Sequence, residues 1–338
     1  MQHRIAVVGG DGIGPEVVAE ALKVIEAAGA KVAVENFSLG AAHYLATGEV
    51  LEEETLAKLR GYDAILLGAI GPAIGSTDVP PGILERGLLL KLRFELDLYI
   101  NERPFLTLNA SSTTTRKQAD FVVIRENTEG TYAGEGGFLR RDTPHEVATQ
   151  GSVNTRMGVE RAIRHAFEVA SGRPRRHLTL VHKTNVLTYA GDLWARAFAS
   201  VAKEFPAVAT SYNHVDAACI YLVEDPGRYD VIVTDNLFGD ILTDLAAAVT
   251  QGIGYAASGN LNPARTGPSM FEPVHGAAHD RAGTGEANPY AAIRSAAMMM
   301  RFLGEDEVAS RVERAIGVLP PSGLDTRKIG DFYAERVS

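Results

Sequence analysis

The chain has 338 residues, 46% of them hydrophobic and 22% charged, an ordinary composition for a folded globular protein of two domains or one large α/β unit. Its net charge of −9 repels phosphate backbones and argues against nucleic acid as a partner, so an anionic substrate would need a local cluster of Arg or Lys. The single cysteine, Cys219, excludes an intrachain disulfide, and no apolar run approaches the ~18 residues that span a bilayer. The strand-like start MQHRIAVVGGDGIGPE lacks the apolar stretch of a signal peptide, and a cytoplasmic location is expected.

Taken in order, Ile5 to Val8 reads as a strand, followed by the turn Gly9 to Gly14 and a helix from Pro15 to about Ala28. Val32 to Phe37 is a strand, Glu52 to Arg60 a helix, and Asp63 to Leu67 a strand apolar on both faces, as a buried parallel sheet requires. Further strands are expected at Leu98 to Asn101, Phe121 to Ile124, Leu178 to His182 and Val231 to Thr234. Helices are expected at Leu84 to Leu96, Thr155 to Ser171, Gly191 to Glu204, Ala217 to Val223 and Asn236 to Gln251. The alternation predicts an α/β fold with helices on both sheet faces. Gly71 to Gly82 reads as a loop, and so does the long turn-rich stretch Gly254 to Gly285.

Asp240 and Asp244 are four apart on a predicted helix and share a face. They form either a solvated acidic surface or, since Mg²⁺ takes carboxylate oxygens, part of a cation site. Arg93 ends a helical run, Arg103 follows the strand DLYIN, and Arg125 closes the strand FVVI. Each alone reads as a surface ion pair; three together on an acidic chain read as a grip on carboxylates. Tyr132 and Lys183 are candidate proton carriers, with a structural hydrogen bond and a snorkelling side chain as the plainer readings. A lysine beside other cations in a dry pocket can have its pKa lowered enough to act as a base. The turn Gly9 to Gly14 lacks the full Rossmann spacing. The loop Glu272 to Asp280 is the better cofactor candidate, with Asp280 placed to favour NAD over NADP.

These motifs resemble the β-decarboxylating dehydrogenases, the family of isopropylmalate, isocitrate, homoisocitrate and tartrate dehydrogenases. The matching segments are Gly10–Glu16, Leu89–Pro104, Arg125–Gly134, His182–Leu187, Val215–Val223, Thr234–Asp244 and Glu272–Pro289, in the family's order over nearly the whole chain. The overall look is most similar to isopropylmalate dehydrogenases of the actinobacterial type. The resemblance implies two α/β domains sharing a large mixed sheet, not a Rossmann fold. It implies a cofactor-side domain of residues 1–98 and 252–338, and a substrate, metal and dimerisation domain of residues 99–251. It further implies that Arg93, Arg103 and Arg125 hold the malate carboxylates and that Asp216, Asp240 and Asp244 bind Mg²⁺ or Mn²⁺. Lys183 and Tyr132 would be base and acid. Ile13, Glu272, His275, Gly276, Ala277, Ala278, His279, Asp280 and Asn288 would line the NAD site. Lys183 and Asp216 would reach into the second subunit's site, implying a homodimer with shared active sites.

Leu89 and Leu90, one helical turn before Arg93, are apolar and suited to an isopropyl group, where an isocitrate-type enzyme is expected to carry Ser and Asn. This favours 3-isopropylmalate and a role in leucine biosynthesis. Glu102, Asn127, Ala277 and His279 depart from the usual isopropylmalate pattern. They keep open a paralogue acting on another 3-substituted malate, and a catalytically inactive binding protein of the same fold is a third reading.

Overall fold

The computed structural model of the chain describes residues 2–108 and 117–337. Residue contacts divide it into two units, Met1–Leu98 with Gln251–Ser338, and Tyr99–Thr250.

In the first unit, β1 (His3–Gly10) lies parallel between β2 (Val32–Asn36) and β3 (Ala64–Ala69). The run AILLGA of β3 is buried throughout, as a strand covered on both faces must be. The tight turn after β1 leads into α1 (Gly14–Ala27), which has Pro15 and Glu16 in its first turn and buries Val17, Val18, Ala21, Val24 and Ile25. Two short helices follow β2, α2 (Ala41–Thr47) and α3 (Glu53–Leu59). After β3, residues Glu85–Leu90 wind as a π-helical turn before α4 (Lys91–Glu95). The single helix expected over 84–96 is thus broken in type, and its wider first turns sink Leu88 into the core.

The second unit orders its strands β4-β5-β10-β8-β9. They are β4 (Ile100–Leu106), β5 (Asp120–Glu126), β8 (His177–His182), β9 (Ala209–His214) and β10 (Val231–Thr234). β4 pairs antiparallel with β5, and the other neighbours pair parallel. A separate antiparallel pair, β6 (Gly136–Leu139) and β7 (Val147–Gln150), is exposed along its length. The helices are α5 (Arg156–Gly172), α6 (Thr188–Ala202), α7 (Val215–Glu224) and α8 (Asn236–Val249). Side-chain oxygens start two of them. Thr155 accepts from Gly158 N (2.9 Å), and Asp235 accepts from Phe238 N (2.8 Å). Because β5, β8 and β10 are parallel, their C-terminal ends share one edge, where α/β folds gather ligands. Arg125, Lys183 and Asp235 sit there.

The chain then returns to the first unit. The stretch expected as one long loop holds β11 (Ala257–Leu261) antiparallel to β12 (Ser269–Pro273), which itself runs parallel to β3. The helices α9 (Tyr290–Phe302), α10 (Asp306–Ile316) and α11 (Thr326–Val337) finish the unit. The sheet is therefore mixed in both units, and the α/β class with a non-Rossmann sheet stands as expected.

Candidate active site

In the second unit the site grows from β5. Its last two residues, Arg125 and Glu126, are buried and point to opposite faces. Arg125 is 1% exposed, and a guanidinium this buried must have its donors met. Nε and Nη2 both donate to Asn236 Oδ1 (3.0 and 2.8 Å), and Nη1 donates to Asp240 Oδ1 (2.5 Å). Gly239, between those two helix residues, is needed for this approach, since a Cβ there would lie 2.5 Å from Arg125 Cγ. Tyr132, in a 3₁₀ turn, donates its hydroxyl to the other Asp240 oxygen (Oδ2, 2.9 Å), with Arg125 Cζ 5.2 Å from its ring centroid.

Arg103 does not follow its strand. It lies within β4, opposite Val123, because the strand continues through Pro104 to Leu106. Its Nη1 donates to Thr243 Oγ1 (2.6 Å) and stands 3.7 Å from Asp244 Oδ1, and Nη2 is 4.0 Å from Asp240 Oδ1. Asp240 and Asp244 therefore do share one helix face, and arginines face it. The neighbouring Glu102 turns the other way and pairs with His165 (3.0 Å).

Glu126 fixes the turn leading to Tyr132. Its carboxylate accepts from Thr128 N, Thr128 Oγ1 and Glu129 N, all at 2.8 Å. Burial nevertheless pushes its pKa up to about 7. A carboxyl whose folded pKa is raised contributes stability that is complete below its unfolded value near 4.5 and is lost as pH rises through the folded value near 7. The difference amounts to on the order of 3 kcal/mol. We expect Glu126→Gln to remove this component. Wild-type unfolding free energy minus that of the variant, followed from pH 4.5 to 7.5 by denaturant titration, falls across the window; a flat difference contradicts the assignment.

Lys183 sits just past β8, and its Nζ is 2.8 Å from Asp216 Oδ1 at the start of α7. The ammonium holds the Asp216 carboxyl below the usual carboxylate range. Within a single chain the charged neighbour of Lys183 is this carboxylate. Among the described residues of a single chain, no group of three or more His, Cys, Asp or Glu is placed to hold a metal. Asp240 and Asp244 supply hard oxygen donors of the kind Mg²⁺ and Mn²⁺ take, so their chemistry fits a divalent cation whose further ligand comes from elsewhere.

In the first unit, Arg93 is 9% exposed, and its Nη2 stands 3.7 Å from Glu272 Oε1, which also accepts from Asn260 (2.8 Å). Leu89 and Leu90 are half-buried, and Leu89 packs on the core around Leu88 and Leu92. The nearby cations are engaged elsewhere. Lys91 pairs with Glu53 (2.6 Å), and Arg86 donates to Pro81 O (3.3 Å).

Three loops of this unit are stitched together. Ile13 N donates to Ala277 O (2.8 Å), and Gly12, at φ +56°, has that oxygen 1.9 Å from where a Cβ would stand. Gly71 N donates to Asp11 Oδ2 (3.0 Å), and His279 Nε2 is 2.7 Å from Gly71 O. His275 Nε2 is buried without a hydrogen-bond partner, and burial holds this imidazole below its ordinary pKa. Gly276 is exposed with open space beside it, Ala278 is left-handed (φ 39°), and Asp280 faces solvent. Asn288 accepts from Tyr290 N (3.0 Å) at the head of α9. An unsatisfied ring nitrogen, an open glycine and an exposed carboxylate fit a dinucleotide.

Asn236 and Thr243 were not singled out from the sequence. The signal was available: residues 236, 240, 243 and 244 form a polar stripe at i, i+4, i+7, i+8 on an otherwise apolar helix.

Residues 4–335 match the isocitrate/isopropylmalate dehydrogenase family. A 3-isopropylmalate dehydrogenase of Corynebacterium glutamicum is 61% identical over 97% of both chains, and one of Corynebacterium efficiens is 57% identical over 99% of both. The crystal structure of isocitrate dehydrogenase from Methylococcus capsulatus superposes with a TM-score of 0.88 at 37% identity, covering 99% of each chain. With Arg103, Arg125, Tyr132 and Asp240 gathered as described, and with identity at this level across its length, the chain belongs to the isocitrate/isopropylmalate dehydrogenase family of enzymes.

Proposed function

We propose that the protein oxidises and decarboxylates 3-isopropylmalate to 4-methyl-2-oxopentanoate, using NAD⁺ and Mg²⁺ or Mn²⁺, as a cytoplasmic homodimer of leucine biosynthesis. The observation that carries this reading is the cluster of two buried arginines and a tyrosine hydroxyl around Asp240. Anion-gripping and proton-donating groups stand together at a carboxylate suited to a cation.

Arg93, Arg103 and Arg125 are assigned to the two substrate carboxylates, where their charge favours the negative charge that develops as CO₂ leaves. Lys183 takes the proton of the C2 hydroxyl, and Tyr132 delivers a proton to C3 after decarboxylation. Asp240 and Asp244, with the second subunit's copy of Asp216, would hold the divalent cation, which would supply Lewis-acid chemistry, and the nicotinamide would supply the hydride acceptor. Ile13, Glu272, the loop His275 to Asp280 and Asn288 line the dinucleotide site. A homodimer is supported by the exposed apolar side chains of Phe138, Leu139, Ile220, Val223 and Ile241 in the second unit. No helix among the described residues is long and apolar enough to cross a membrane.

A second reading, a paralogue for another 3-substituted malate, rests on the departures at Glu102, Asn127, Ala277 and His279. A substrate panel decides between them. With NAD⁺ and Mg²⁺, kcat/KM for 3-isopropylmalate should exceed that for malates differing by one methylene by roughly 10–200-fold. Isocitrate should be turned over least, because Lys91 and Arg86 are already engaged. Preference for benzyl- or phosphonomethylmalate would transfer the assignment to the paralogue.

A further inference from the structure

Lys183 stands in a short connection between the end of β8 at His182 and the start of α6 at Thr188, where no strand ladder fixes the backbone. Val186 N and Leu187 N donate to Lys183 O (3.1 and 2.9 Å), and one phenolic oxygen brackets the lysine from His182 to Thr184. Tyr212, on the neighbouring strand β9, donates to His182 O (3.2 Å), accepts from Thr184 N (3.2 Å) and lies 2.9 Å from Thr184 Oγ1. These are the main-chain groups immediately before and after Lys183. The same oxygen is 2.8 Å from Nδ1 of His214, the residue that caps α7. Two residues into that cap and helix lies Asp216, the ion-pair partner of Lys183. A hydroxyl carries one proton and two lone pairs. It donates to His182 O, and its two lone pairs face the three remaining neighbours, Thr184 N, Thr184 Oγ1 and His214 Nδ1. The rings of Tyr212 and His214 meet edge-on, with centroids 5.1 Å apart.

We propose that Tyr212 is a positioning residue for Lys183. It fixes the peptide groups on both sides of the lysine and ties them to the head of the helix that carries Asp216. This rests on the reading of Lys183 as the base. Lysine has four rotatable side-chain bonds, so its Nζ is only as well placed as the backbone beneath it. Misplacement by about 1 Å costs up to ~10²-fold in rate. Bulk stability is a poor explanation for the tyrosine, because Tyr212 is 37% exposed on an edge strand.

Tyr212→Phe removes only the oxygen. With 3-isopropylmalate, NAD⁺ and Mg²⁺, kcat is expected to fall on the order of tenfold while KM stays within about twofold. Amide exchange at Thr184 should accelerate, reporting the lost acceptor independently of turnover. In a Lys183→Met background the same substitution should change kcat no further, because it acts through the lysine. Wild-type kcat in Tyr212→Phe overturns the proposal. So does an undiminished further loss in the Lys183→Met background. Unchanged kcat in Lys183→Met alone overturns the base assignment and the positioning role with it, whereas a fallen Lys183→Met beside an unaffected Tyr212→Phe overturns only the latter.

Discussion

Lys183→Met lowers kcat by 10²–10⁴-fold, the range lost with a general base, and leaves the fold intact. The two halves of this expectation have separate causes. The Lys183 side chain is one-quarter exposed and its Asp216 partner two-thirds exposed. An ion pair so hydrated contributes little to stability, so thermal unfolding shifts little. Methionine retains most of the apolar stem. Steady-state kinetics and a melting curve on the same sample check both halves. A kcat within tenfold of wild type removes Lys183 from the role of base; a large drop in Tm makes it structural instead.

Arg125→Met should do the reverse in proportion, costing stability as well as activity. Its guanidinium is buried, satisfied by Asn236 and Asp240, and its stem fills the groove left by Gly239. Asn236 is fully buried, and leaving its Oδ1 without donors costs about 1–3 kcal/mol, while Asp240, 40% exposed, is rehydrated. Asn236 Oδ1 loses two donors at once. Denaturant midpoints read this directly, and turnover should be lost in parallel as the carboxylate grip fails. A variant with unchanged midpoint would mean that solvent reaches the site freely.

The sequence revealed an element best where hydrophobic burial made it. Val231 to Val233 is an unbroken apolar run closed by Thr234, and β10 spans Val231–Thr234 as expected. The polar elements were hidden. β9, Ala-Thr-Ser-Tyr-Asn-His, is an exposed edge strand with no apolar periodicity, so nothing distinguished it from a loop. β11, Ala-Ser-Gly-Asn-Leu, is wholly buried yet hidden for the opposite reason: its polar side chains are satisfied inside, Asn260 by Glu272, and burial leaves no alternation. The π-helical turn before Arg93 was invisible because period counting assumes α geometry. In the site, residue types marked Arg125, Tyr132, Lys183 and the aspartates. The pairing of Lys183 with Asp216, and its tie through Tyr212, required the strand order β10-β8-β9, which local pattern does not encode.

The first unit is assembled from both ends of the chain, with the second inserted between residues 98 and 251. β12 enters the sheet beside β3, pairing Ser269 with Ala64 across some two hundred residues of sequence. During synthesis, therefore, β1, β2 and β3 emerge early and wait, with one flank of β3 open, until β12 has left the ribosome. At roughly 5–20 residues per second that wait lasts on the order of ten seconds or more. The second unit, contiguous in sequence, closes its loops at far smaller entropic cost and can complete first. The open edge of β3, a strand apolar on both faces, is thus also the place most exposed to misassociation in the nascent chain.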